Sequence, residues 1–158
     1  MFGLFKSAPF SDPVLGALVR SRGYWRGTLP LDAGPTTLAL AGTRNAPDAG
    51  ALAEARALAR RFPAWRPAID TALFEHYAPY AEALAAGELP EPDEDIPRIA
   101  SPAEVGSHAR LEYVSIAPLD GVLVTELGYL TAWDEEHTLG VRFAGERFVE
   151  LCGSVLRP

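Results

Sequence analysis

The sequence predicts an α+β fold: an antiparallel sheet of about seven strands with two helices packed on one face, in the order βββααββββ. Three observations carry this. The first forty residues and the last fifty hold extended runs rich in β-branched and aromatic residues, separated by turn dipeptides. The stretch between them repeats its apolar residues at helical spacing. Strand runs and helical runs are segregated, which favours helices on one side of an antiparallel sheet over a doubly wound parallel one.

Taken in order, "ALVRSRGYWRGTLPL" gives two strands either side of Ser21–Gly23, and "TTLALAG" gives a third after the Asp32–Pro35 breaker. "NAPDAG" stops the pattern and places Asp48 as a helix N-cap. Leu52, Ala55, Ala59 and Phe62 then form one helical face over residues 49–62. Pro63 and Pro67 punctuate. A second helix is expected from Pro67 to Ala86, with Ile69, Leu73, Tyr77, Tyr80 and Leu84 as its apolar stripe. Pro79 removes one backbone donor inside it and predicts a kink or a break near Glu75. Residues 87–107 read as an acidic, Pro-rich connector, its first part carrying Pro90, Pro92 and Pro97. Two hairpins close the chain. One turns at Asp120-Gly121, and the other joins "TLGVRFA" to "RFVELCGSV" through Gly145-Glu146.

The bulk composition bounds the function. The chain has 158 residues, which is one domain, 1–158, by length. Its net charge of −7 repels phosphate backbones, so nucleic acid is not an expected partner and a basic protein is. The single cysteine, Cys152, precludes an internal disulfide and fits a reducing compartment. No run reaches the length of a membrane span, and "MFGLFKSAPF" lacks a basic leader and a small-residue cleavage site. The expectation is a cytoplasmic protein with no membrane contact. There is no HExxH, no cysteine pair, no G-x-S-x-G elbow and no phosphate loop, so no cofactor and no metal are expected.

The stretch "TAWDEEHTLGVRF", residues 131–143, is the densest in chemistry-bearing side chains. With the last turn at Gly145-Glu146, alternation puts His137, Leu139, Val141 and Phe143 on one face, and register brings Glu150 to that face opposite Val141. Asp134, Glu136, His137 and Glu150 are therefore the candidates for a catalytic or metal-dependent site. Against this, successive carboxylates on an extended chain point to opposite sides and do not converge. The plainer reading has Asp134 closing a turn through backbone N–H groups, His137 packing at its end and Trp133 covering the core edge. A third reading makes the stretch a contact surface. Trp133, Asp134 and Glu135 would then bind a partner together with Glu88, Glu91, Asp93, Glu94 and Asp95 of the connector. His76 borders the apolar stripe of the second helix and reads as a core-edge histidine, since no second ligand sits at i+4.

"W-D-E-E-H-T-L-G-V" followed by "F-V-E-L-C-G-S-V", with "F-S-D-P-V-L-G-A-L" and "Y-W-R-G" near the start, resembles a family of small bacterial proteins with a C-terminal W-D-x-E-H motif. That resemblance implies a domain of unknown function, some of whose relatives have been proposed as toxin-immunity proteins. The function expected is a non-catalytic, cytosolic protein-binding domain of immunity or inhibitor type. The alternative is a metal-dependent enzyme or metal-binding protein centred on the W-D-E-E-H stretch.

Overall fold

The computed structural model describes residues 6–88 and 96–158. Eight strands form one sheet in chain order: β1 (Phe10–Asp12), β2 (Gly16–Ser21), β3 (Tyr24–Leu31), β4 (Gly34–Leu40), β5 (Ala109–Leu119), β6 (Val122–Thr131), β7 (Thr138–Ala144) and β8 (Arg147–Val155). Among the described residues between β4 and β5 lie one α-helix, α1 (Ala49–Ala85), and a short 3-10 helix, Pro102–His108. Two meanders are thus joined by one long crossover. A crossover through a helix returns the chain in the same direction, so β4 and β5 pair in parallel, Thr37 opposite Tyr113 and Leu40 opposite Ile116.

Turn chemistry sets the hairpins. Arg22 and Gly23 have φ of 51° and 84°, and Asp120 and Gly121 have 49° and 79°. Positive φ at both central positions matches the right-handed twist of the flanking strands. Gly145 has φ of 58°, and the Phe143 and Phe148 rings meet edge to face at 5.7 Å, as the last hairpin requires.

Register aligns whole rows of side chains across the sheet. Trp25, Leu40, Ile116, Thr125, Phe143 and Phe148 follow one another from β3 to β8. This row faces α1, where the Trp65 ring stacks on Phe143 at 4.2 Å. The helix buries Leu52, Ala55, Leu58, Phe62, Trp65, Ile69, Leu73 and Tyr77 against that face. Burying each large apolar side chain stabilises by about 1.5–3 kcal/mol. The adjacent row, Val19, Arg26, Ala39, Ser115, Glu126, Arg142 and Glu150, lies on the opposite face.

The expected fold is corrected in three respects. The sheet has eight strands rather than seven and is mixed rather than antiparallel. The added strand, β1, is short and is held by Asp12. Its carboxylate accepts from the backbone N–H groups of Val14 and Leu15 at 2.9 Å and pairs with Arg56 of α1. The Arg56 hydrogen bond outweighs burial and holds the Asp12 carboxyl at about 2.

The third correction concerns the helices. One helix replaces two, and it runs through Pro63, Pro67 and Pro79. A proline at position i strips the donor from the carbonyl at i−4. Here those carbonyls belong to Ala59, Pro63 and Glu75. These residues and the three prolines all lie on the exposed side of α1, where water satisfies what the helix does not. The apolar stripe continues underneath without a break. Ala59, expected on that stripe, is exposed, and Leu58 takes the buried position.

Candidate functional site

The W-D-E-E-H stretch forms the connection between β6 and β7, and the C-terminal half of α1 packs against it. Trp133 is buried, its ring edge to face with Tyr77 at 5.5 Å. Its indole Nε1–H donates to Nδ1 of His76 at 3.1 Å. Asp134 is the focus of the turn. Its Oδ2 accepts from the Tyr80 hydroxyl at 2.8 Å, and its Oδ1 lies 2.9 Å from Nδ1 of His137. Tyr77, one helical turn from Leu73, points its hydroxyl to the carbonyl of Pro97 at 2.8 Å and accepts from the N–H of Ile99 at 3.1 Å. The turn, the helix and the segment leading to the 3-10 helix are thereby tied together.

Electrostatics follow from burial and these bonds. Burial alone would raise the Asp134 carboxyl. The Tyr80 hydroxyl and His137 outweigh it and hold the group below the usual carboxylate range. Tyr80 is pushed up to about 12, by burial first and then by its bond to Asp134. Burial lowers His76, with Asp134 acting against the shift and His137 reinforcing it. Asp134 is therefore an anion with its oxygens occupied, and His76 is neutral at pH 7.

Sequence reasoning brought together some of these residues and not others. Asp134 and His137 do meet, and Trp133 does cover the core edge. Glu135 and Glu136 are exposed beside them. Glu150 does not join them. The pairing follows the expected register at Ala144–Arg147 and Phe143–Phe148, then slips, so that Arg142 faces Glu150 and Val141 faces Leu151. A bulge at Val149 supplies the extra residue and sends Glu150 to the opposite face. There Arg142 bonds Glu150 through Nη1 and Glu126 through Nε, both at 2.8 Å, and the Tyr113 hydroxyl donates to Glu126 at 2.7 Å. The Tyr113 ring lies over Gly128, where a Cβ would stand 2.1 Å from it. Of the connector carboxylates, Glu88 is exposed just beyond α1, and Glu91, Asp93, Glu94 and Asp95 lie outside the described residues.

Two participants went unassigned to the site from sequence, His76 and Tyr80. The only local signal was their i, i+4 spacing at the edge of the apolar stripe, which says that they share a helix face and not what that face meets. Among the described residues, no three or more His, Cys, Asp or Glu side chains gather into a group that could hold a metal ion. Among the described residues, no helix is long and apolar enough to cross a membrane.

No curated protein and no solved structure matches the chain. A family match covers residues 21–155, from the last residue of β2 to the end of β8, and so includes the whole of the W-D-E-E-H turn and the helix beneath it. The chain belongs to the DUF6985 family, a domain of unknown function.

Proposed function

We propose that this chain is a small, cytosolic, non-catalytic protein-binding domain of immunity or inhibitor type, acting on a basic partner. The observation that supports this best is how the W-D-E-E-H turn uses its polar atoms. Trp133 and Asp134 spend theirs inward, on His76, Tyr80 and His137. Glu135 and Glu136 stand in solvent on the turn so fixed. A rigid acidic surface of this kind loses little conformational entropy when a partner arrives. The net charge of −7 adds long-range attraction for a cationic surface, which acts mainly on the association rate. Glu88, Glu91, Asp93, Glu94 and Asp95 contribute five further carboxylates in the connector sequence.

The test is kinetic. Glu135 and Glu136 are replaced by Gln, and association is measured at low and high salt with a basic toxin domain encoded beside this chain. The reading requires a slower on-rate and a flatter salt dependence, with the melting temperature nearly unchanged. Association kinetics identical to those of the unaltered protein would remove the turn from the contact surface.

A further inference from the structure

The bond between Trp133 and His76 has a property that ordinary packing contacts lack. An indole N–H can only donate. Nδ1 of His76 must therefore present its lone pair, which fixes the neutral imidazole with its proton on Nε2. We propose that this bond is an acid-sensitive latch: a proton taken from solvent at Nδ1 of His76 breaks the Trp133 contact between α1 and the β6–β7 turn, while Tyr80 still holds Asp134. An imidazolium has two N–H groups and no acceptor, so protonation sets one N–H against another at 3.1 Å.

The surroundings do not absorb the change. On its own helix, His76 faces the Tyr80 ring at 5.7 Å, and the Tyr80 hydroxyl is already given to Asp134. From the turn, Asp134 favours the cation and His137 opposes it. Asp134 already accepts from Tyr80 and His137, which hold its carboxylate in the turn. From β8 the ring meets Gly153, where a Cβ would stand 3.7 Å from Nε2, and glycine brings no titratable group. Trp133 is only 4% exposed, so its released N–H has no water to turn to in place. The turn must move, and Glu135 and Glu136 move with it. Burial keeps the ring neutral at pH 7, which sets the opening below the ordinary histidine value of 6.5. The latch stands on the hydrogen bond alone and is independent of the protein-binding reading.

The experiment is an NMR titration of the whole chain from pH 8 to pH 5. Long-range proton–nitrogen spectra report the tautomer of His76, and the indole N–H resonances report Trp25, Trp65 and Trp133. The expected result is the Nε2–H tautomer at pH 7. The Trp133 indole and the Glu135 and Glu136 amides should then shift together at the His76 midpoint. In His76→Gln the side-chain oxygen accepts from the indole at every pH, so the transition should vanish. In His137→Gln it should remain. If the variants fail to fold, the tautomer and the coincidence of midpoints in the unaltered protein still decide. An Nδ1–H tautomer at pH 7, a Trp133 indole that ignores the titration of His76, or an unchanged transition in His76→Gln would overturn the latch.

Discussion

The hydroxyl of Tyr80 and Oδ2 of Asp134 lie 2.8 Å apart, joining the last turns of α1 to the connection between β6 and β7 across 54 residues of chain. The bond holds a buried carboxylate, and a hydrogen bond to a charged acceptor contributes about 1.5–3 kcal/mol. Tyr80→Phe should therefore lower stability by about 1–2 kcal/mol, since His137 still serves Asp134. At roughly 2–4 °C per kcal/mol for a chain of this size, thermal unfolding will register it. The pH dependence has a definite sign. Asp134 titrates lower in the folded protein than its ordinary 3.8. Its contribution is complete above that value and is lost as pH falls through the folded value. Removing the Tyr80 hydroxyl should shrink the acid loss, measured as the difference in stability between pH 6 and pH 3.

Gly128→Ala tests the opposite face. The new Cβ would fall within the van der Waals envelope of the Tyr113 ring, which is itself buried. Overpacking of this kind costs about 1–3 kcal/mol. Adding Tyr113→Ala should recover part of that loss, because the ring is the obstruction. A double variant no more stable than the sum of the two single losses would show that the backbone at Gly128, and not the ring, sets the constraint.

Arg142 and Glu150 make unequal demands. Glu150 has a half-exposed side chain, so Glu150→Gln should change stability by no more than about 0.5 kcal/mol. Arg142→Ala should cost several times as much, because it strips the cationic partner from Glu126, whose side chain is only 14% exposed, and leaves it only the Tyr113 hydroxyl. Urea denaturation of the two variants separates them. Equal losses would mean that Glu150 carries more of the network than its exposure implies.

Pro63→Ala should stabilise the protein. It restores a donor to the Ala59 carbonyl at an exposed position of α1 and touches no core contact. The helix gain is partly offset by greater freedom in the unfolded chain, leaving about 1–2 kcal/mol. A lowered melting temperature would show that the proline ring itself packs favourably.

Where the sequence was legible, the information was local. Asp48 as N-cap, the turns at Arg22-Gly23, Asp120-Gly121 and Gly145, and the pairing of Phe143 with Phe148 all depend on neighbouring residues. The unbroken helix was legible too, had the stripe been followed through Leu58, Phe62, Trp65 and Ile69 rather than stopped at the prolines. The parallel pairing of β4 with β5 was not, because strand direction depends on how the crossover docks. Nor was the bulge at Val149, which is marked by no glycine or proline. One inserted residue turns Glu150, Leu151 and Cys152 to the faces opposite those that plain alternation predicts, before a second slip between Cys152 and Val155. His76 and Tyr80 reach Trp133 and Asp134 only through tertiary packing.

The seam between β4 and β5 has a kinetic consequence. Every other strand pairing joins neighbours in sequence and can form as a hairpin within microseconds. Thr37 meets Tyr113 only after the whole of α1 has been laid down between them. Closing so long a loop loses entropy before any contact rewards it, and non-local pairing is what slows folding. The two meanders should therefore organise early and separately, with their union as the barrier. Substitutions at the seam, such as Leu38→Ala or Val114→Ala, should slow refolding. Substitutions of equal cost in the β7–β8 hairpin should chiefly hasten unfolding.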